Sequence, residues 1–501
     1  MATRRWEFQD LRGRYPVMAQ ALDNQWLPAA AAASRQAATA APGRDDAQFA
    51  AASAELRRAL VNSGTLVANR GYFFNNPALY ESFAAGAPAD DRRAFARLLN
   101  DGSLVPFLLG ERDPADRPTH LARDGVHRFS VDDRIHRSWQ RLLEEEAEPA
   151  CVRLSWDDDA NRAAAQRIGD YFGRNVTTLN RLDPVLLAED LGIPVEQADA
   201  LRRGILTDIA RWSVERGPDT ALTRNAVYEN FFTRPGTQPH ERLLRDGDQI
   251  LPAKQLVDLL YNIGVPAAAD IVAATPPQSP PRSTLQELTA AAADPVADPE
   301  ALGTLLRGVF ADALHRAVDG PNSYGSLSLT EVVALRQEED WHAYIDALGG
   351  FVTSGFTADL VPSPDDFAAA TARIARLHAR MLRRARKISR GPGAFQREIG
   401  VMLVLESPGI VLRLASGEAT LLSGSLDAVG VVAGPLVMRL VFQEARASRG
   451  GLGHSITLPT LRLRSLRRDW ETILRAYGRE TRPAGRDTVA NEADQQVTAP
   501  E

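Results

Sequence analysis

The stretch from Thr65 to Asp113 constrains the fold of this 501-residue chain more than any other part of it. Two short apolar runs begin at Thr65 and Ser103, and two segments with helix signals lie between them. Asn76 followed by Pro77 is typical of a helix start, and Gly102 is placed where a helix ends in a left-handed residue. The order strand, helix, helix, strand predicts two parallel strands joined by a helical crossover.

Polar side chains follow both predicted strands. Asn69 and Arg70 follow the first strand, and Glu111 and Arg112 follow the second. The carboxyl ends of parallel strands lie at one edge of a sheet, where open α/β folds bind their ligands. We therefore expect these four side chains to converge on a site for an anion or a small polar ligand. A structural ion pair between Arg70 and Glu111 is the alternative interpretation.

Helical periodicity dominates the remainder of the chain. The predicted fold class is therefore mainly α and multi-helical, with one small α/β element near residues 65–109. A short β-hairpin is also expected near residues 401–414, turning at residues 407–409. Changes in composition predict the following segments: an alanine-rich lead-in (1–44), an N-terminal α/β-containing domain (45–150), a helical domain (151–274), a proline-rich linker (275–298), a C-terminal helical domain with a basic helix and apolar segments (299–480) and a disordered tail (481–501).

Composition and charge narrow the class of protein. The net charge of −6 argues against a globally basic nucleic-acid-binding protein. Residues 187–201 resemble a helix-turn-helix pattern, but the second helix would present Glu196 and Asp199 to the phosphate backbone, so nucleic-acid binding is not expected. Of the 58 basic residues only Lys254 and Lys387 are lysine, a bias that indicates a GC-rich, bacterial type of genome.

The sequence contains few signals of metal binding, redox chemistry or membrane insertion. Cys151 is the single cysteine, which excludes an internal disulfide and favours a cytoplasmic location. His120, His127 and His136 lack the spacing of metal ligands, and no cofactor motif is found. No apolar run is long enough for an ordinary membrane span. Without a catalytic signature, enzyme activity stays an open question that the sequence does not favour.

A basic amphipathic helix is predicted to begin at Pro364, after Ser363 as its N-cap. Apolar residues recur at spacings of three and four from Phe367 to Ile388, over roughly 36 Å of helix. The opposite face carries cations with no acidic residue among them: Arg373, Arg376, Arg380, Arg383, Arg384, Arg386, Lys387 and Arg390. Either this face is solvated or neutralised within the fold, or it docks an anionic partner.

Three functional hypotheses follow from these patterns. The leading one is a cytoplasmic helical interaction or regulatory protein that docks an anionic partner, most simply another protein, through the basic helix. The second is a ligand-binding protein or a hydrolytic enzyme that uses the strand ends near residues 69–70 and 111–112. The third is peripheral membrane association through residues 367–443, because a basic helix beside apolar segments suits a membrane surface.

Overall fold

The computed structural model describes residues 4–22, 44–116, 133–191, 193–216, 222–236, 244–269, 271–273, 324, 327–354, 364–389, 410–415 and 418–423. Several sequence predictions lie outside these residues, namely the proline-rich linker, the disordered tail, the cap at Ser363 and residue 390 of the basic helix.

A parallel sheet forms the centre of the described structure. Its strands are β1 (Arg4–Glu7), β2 (Pro16–Met18), β3 (Thr65–Asn69), β4 (Leu104–Phe107), β5 (Ala150–Arg153) and β6 (Val272–Ala273). They lie side by side in the order β1-β5-β4-β3-β2-β6, and every neighbouring pair is parallel. All six carboxyl ends therefore lie at one edge of the sheet and all six amino ends at the other.

Helices account for most of the remaining described structure, so the chain is mainly helical with a small parallel sheet. The helices are α1 (Arg44–Val61), α2 (Tyr72–Asn75), α3 (Pro77–Tyr80), α4 (Ala89–Asn100), α5 (Asp133–Glu145), α6 (Asp158–Val176), α7 (Pro184–Leu191), α8 (Val195–Leu201), α9 (Thr207–Glu215), α10 (Arg224–Val227), α11 (Ile250–Ala268), α12 (Leu329–Leu335), α13 (Glu339–Ser354) and α14 (Pro364–Ile388).

Helices cover both faces of the sheet because its strands are apolar on both faces. On one face, Val67, Val105 and Val152 pack with Ile168 of α6 and Val265 of α11. On the other face, the intervening strand residues join a larger core with α1, α4 and α5 and with the C-terminal helices α12, α13 and α14. The sheet is thus the middle layer of three.

The predicted pair of parallel strands joined by a helical crossover is present, with three helices (α2, α3 and α4) in the crossover where two were predicted. β3 and β4 are parallel, with Leu66 opposite Leu104. Asn76 caps α3, since its side-chain oxygen accepts a hydrogen bond of 2.9 Å from the Ala78 amide. Gly102 ends the crossover with φ of 75°, the left-handed conformation that glycine adopts without strain.

The sheet is larger than the predicted element, and it gathers distant parts of the chain. β1 and β2 both come from the segment that was assigned to the lead-in, and β5 lies at the predicted boundary near residue 150. β1 is a charged edge strand, and β2 has only three residues. Neither has the alternating pattern from which a strand is recognised in a sequence.

An antiparallel hairpin overlaps the C-terminal end of the region where one was predicted. β7 (Ile410–Ala415) and β8 (Glu418–Ser423) are antiparallel, with Ala415 opposite Glu418. Residues 416–417, a Ser-Gly pair, lie between these strands in the sequence, and the turn predicted at 407–409 lies outside the described residues.

A second, fully helical core lies between residues 172 and 260. It is built from the end of α6 and from α7 to α11, with Phe172, Leu201, Ile209, Phe232 and Leu260 among its buried side chains. Two π-helical turns, Arg202–Leu206 and Tyr228–Phe232, interrupt its helices. Such turns are rare, and they occur frequently at functional sites.

The C-terminal helices are fixed to the end of α1 by buried polar contacts. The Arg336 guanidinium donates 2.7 Å hydrogen bonds to the carbonyls of Ser63 and Gly64. The Trp341 indole donates to the Val61 carbonyl at 2.8 Å, and the Tyr344 hydroxyl donates to the Asn62 side chain at 2.9 Å. The end of α1 and the C-terminal helices α12 and α13 therefore share one core.

Candidate functional site

Arg70 lies at the carboxyl edge of the sheet, directly after β3, and is fully buried. Its Nε donates to the Pro114 carbonyl at 3.0 Å, and its Nη2 donates to the Asp116 carbonyl at 3.2 Å. Its guanidinium carbon lies 4.2 Å from the ring centroid of Phe74 and 4.6 Å from that of Trp139. Arg70 therefore holds the loop after β4 and is itself held in one orientation.

The charge of Arg70 is poorly compensated. Burial lowers its pKa to about 9, and nearby Cys151 and Glu111 only partly oppose this effect. Its Nη1 is buried and has no hydrogen-bond acceptor among the described residues. A buried N–H group without a partner loses its hydration with no compensation, so this atom favours an added acceptor, such as the oxygen of an anion.

The other predicted residues of this edge have local partners. Asn69 accepts a hydrogen bond from the Gly71 amide at 2.9 Å, which shapes the turn into α2. Glu111 is buried, and it accepts hydrogen bonds from the amides of Leu109 and Gly110 at 2.9 and 3.0 Å. These contacts organise the loop after β4.

Arg112 is exposed and pairs with Asp158 in the first turn of α6. All four predicted residues thus lie at the carboxyl edge of the sheet, but the described contacts of each are with its own local partners. Of the four, only Arg70 has a buried polar atom without a described hydrogen-bond acceptor.

A second buried arginine at the same edge was missed by the sequence analysis. Arg153 ends β5, and only about 3% of its surface is exposed. Its Nη1 lies 3.8 Å from an Asp158 oxygen, and its Nε has no acceptor among the described residues. The signal was its position directly after an apolar run, but that run was too short to be recognised as a strand.

Cys151, also in β5, is completely buried. Burial raises the pKa of its thiol to about 12, although Arg70 partly opposes this shift. Because the thiolate is the nucleophilic form of cysteine, this residue has the character of an inert core side chain.

The basic helix α14 has its apolar side in the core and its basic side in solvent. Ile374, Met381, Leu382 and Ala385 are buried against the large core, which fixes the rotation of the helix. Arg380 lies 2.5 Å from an Asp340 oxygen, and Arg384 lies 3.4 Å from Glu338 and 3.6 Å from Asp340. Two of the predicted cations are therefore neutralised within the fold.

The remaining described cations of α14 are exposed and have no carboxylate within 4.0 Å in the described part of the chain. We call these residues the arginine face: Arg373, Arg376, Arg383, Arg386 and Lys387. Arg376 and Lys387 are eleven residues apart, which is roughly 16 Å along the helix. The arginine face is thus a narrow basic stripe beside the acidic start of α13.

The helical core contains a buried charge cluster that the sequence analysis did not foresee. Asp258 is completely buried, and its two oxygens lie 2.7 Å from Arg224 Nε and 2.8 Å from Lys254 Nζ. The Tyr228 hydroxyl also donates to Asp258, at 2.5 Å. The cluster joins α10 and the adjacent π-helical turn to α11.

The protonation states of this cluster follow from its burial and its charges. Burial raises the pKa of Tyr228, and the Asp258 carboxylate adds to that shift. Burial lowers the pKa of Lys254, but the Asp258 carboxylate and Tyr228 together outweigh burial and raise it. One carboxylate therefore holds two cations and a neutral phenol, so the cluster carries a net positive charge.

Within the described ranges, no group of three or more His, Cys, Asp or Glu side chains is arranged to hold a metal ion. No described helix is both long and apolar enough to cross a membrane. Comparison with protein-family models, with curated proteins and with solved structures finds no match for this chain.

Proposed function

We propose that the protein is an interaction or regulatory protein, acting in the cytoplasm, that docks an acidic protein partner through the arginine face of α14. The observation that carries this proposal is the set of five exposed cations on one helix without a described carboxylate partner. The packed apolar side of α14 holds these cations in a fixed row. Such a row attracts a complementary acidic surface and increases its rate of association.

An acidic protein suits the arginine face better than the other anionic partners. Asp340 and Glu338 flank the stripe, so the broad phosphate surface of a nucleic acid would meet carboxylates beside the cations. Membrane-surface helices insert large apolar side chains, and the apolar residues of α14 named above are buried in the core instead. Most of the apolar region 390–443 lies outside the described residues.

The test compares binding of three probes to the full-length chain at low salt. The probes are a fluorescent Asp/Glu-rich peptide, a DNA duplex and vesicles that contain phosphatidylserine. We expect the wild type to bind the acidic peptide, with an affinity that falls as salt is added. Replacing Arg376, Arg383 and Lys387 with glutamine removes three contacts of about 0.5 to 1 kcal/mol each, so binding should weaken about tenfold or more.

A matched control variant removes the same number of positive charges from other helices. Arg93, Arg162 and Arg211 are exposed arginines on other helices, each paired with an aspartate one turn away. Replacing these three with glutamine lowers the net charge equally and should leave peptide binding unchanged. Equal loss in both variants would show a general charge effect and overturn the proposal, as would binding to DNA or vesicles alone.

A second candidate function is binding of a small anion at the carboxyl edge of the sheet, and the unpartnered Nη1 of Arg70 favours it. Inorganic phosphate or acetate would supply the missing acceptor and should raise the melting temperature of the wild type. Arg70→Lys keeps the positive charge but lacks the planar guanidinium group, so the rise in melting temperature should disappear in this variant. An equal shift in Arg70→Lys, or none in the wild type, would refute anion binding at this atom.

A further inference from the structure

A groove opens at the amino edge of the sheet, opposite the edge where the sequence predicted a ligand. Its volume is about 660 Å³, within the range of small-molecule sites. One wall is the connection between β1 and β2, including Arg14 and Tyr15, together with the turn that contains Asp101. The other wall is α13, which contributes His342 and Asp346.

The walls of the groove are fixed by close packing. A Cβ atom on Gly349 of α13 would lie 2.9 Å from the Tyr15 Cβ, so glycine is required where the two walls meet. Tyr15 itself has φ of 48°, a conformation that residues other than glycine seldom adopt. Strained residues of this kind cluster at binding and catalytic sites.

The charged group on the floor of the groove is already engaged in hydrogen bonds. Arg336 lies there, but its guanidinium donates to Ser103 Oγ at 3.1 Å and to the carbonyls at the end of α1. Its guanidinium carbon also lies 4.3 Å from the centroid of the Trp341 ring. Any charge recognition must therefore come from the walls.

Charged side chains of both signs line the groove, namely Arg14 and Asp101 on the first wall and Asp346 on the second. Arg14 lies with its guanidinium carbon 4.8 Å from the centroid of the Trp6 ring, and Asp346 lies on α13 across the groove. Neither has an ion-pair partner within 4.0 Å among the described residues, and both are exposed. Asp101 is occupied in part, since it accepts a hydrogen bond from the Ser103 amide at 2.8 Å.

We infer that this groove binds a small zwitterion, an amino acid or a short peptide, with its carboxylate at Arg14 and its ammonium group at Asp346. A ligand with both charges satisfies the two walls at once, whereas a simple anion or cation satisfies one wall and is repelled by the other. His342, one turn before Asp346 on α13, adds a hydrogen-bonding group beside the ammonium position. The inference does not depend on the docking role of α14.

The experiment measures binding of free amino acids and dipeptides to the full-length chain by calorimetry and by ligand-observed NMR. Each binding probe is then compared with its N-acetylated and its carboxyl-amidated forms, which remove one charge at a time. We expect both blocked forms to bind at least about tenfold more weakly, since each loses one charged hydrogen bond to a wall of the groove.

Substitutions in the two walls test which residue binds each charged group of the probe. In Asp346→Asn, N-acetylation should no longer weaken binding, and in Arg14→Gln, carboxyl amidation should no longer do so. Glu339→Gln, on the same helix but outside the groove, should behave as the wild type. Absence of binding by every amino acid and dipeptide tested, or equal binding of free and blocked forms, would overturn the inference.

Discussion

Loss of the Asp258 carboxylate should loosen the helical core selectively. Asp258→Asn keeps the shape of the side chain but leaves Arg224 and Lys254 without their counter-ion. Removing one partner of a buried ion pair destabilises a protein by about 3 to 5 kcal/mol. The lower end of this range applies because 24% of the Arg224 side chain and 22% of the Lys254 side chain are exposed and can be rehydrated.

The expected effect is therefore about 3 kcal/mol, which corresponds to about a hundredfold faster exchange of protected amide hydrogens. Hydrogen exchange of peptides from α11 is the suitable assay, because it reports the stability of one part of the chain separately from the rest. Peptides from β3 and β4 should keep their protection, because these strands also pack in the large core through Leu66, Ala68 and Leu104. Faster exchange there as well would mean that the cluster supports the whole molecule.

Asp246→Asn is the matched control. Asp246 also pairs with an arginine, Arg234, but 93% of its side chain is exposed, so the pair is screened by solvent. This variant should leave the exchange of α11 peptides unchanged. If Asp258→Asn exchanged no faster than Asp246→Asn, the assignment of Asp258 as the anchor between α10 and α11 would be refuted.

Three further predictions concern the sheet. Gly64→Ala should destabilise the fold by about 2 to 3 kcal/mol, because the new Cβ would lie 1.7 Å from the Arg14 carbonyl oxygen, whereas Gly86→Ala meets nothing within 4 Å and should melt like the wild type. Cys151 should resist alkylation at pH 8 in the folded protein and react fully in denaturant, since burial raises its pKa to about 12; rapid labelling of the folded chain would contradict this. Burial lowers the pKa of Arg70 to about 9, so above about pH 9 the unfolded chain holds more protons than the folded chain. The contribution of Arg70 to stability should therefore rise with pH, and the difference in unfolding free energy between the wild type and Arg70→Met should show this slope.

Local signals in the sequence were sufficient to predict the two strands of the crossover and two of the helices between them. Asn76 and Gly102 act through their own backbone geometry or through an amide two residues away, and this information is contained in a few neighbouring residues. The cap of α6 is similar, since Asp157 accepts hydrogen bonds from the amides of Asp159 and Ala160. Such features do not depend on how the rest of the chain is arranged.

Features that depend on distant partners could not be predicted. β1 is a strand because Arg5 lies opposite Cys151, and no property of the segment Arg4–Glu7 alone indicates this pairing. The groove has the same origin, because its walls come from residues far apart in the chain. The cluster around Asp258 in turn depends on the packing of α10 against α11, which brings Arg224 to Asp258. The prediction of a basic face on α14 used local periodicity, but its partial neutralisation by α13 required the tertiary arrangement.

The contacts of Arg336 have a consequence for the order in which the chain can fold. This residue donates to carbonyls 272 and 273 positions earlier in the chain, and Trp341 donates to one 280 positions earlier. During synthesis, the sheet and α1 leave the ribosome long before these donors do. Until the donors are made, the carbonyls at the end of α1 lack their hydrogen-bond partners and the apolar surface beside them is exposed. Completion of the large core is therefore a late, non-local step, and slow folding with a need for chaperone protection is the expected result.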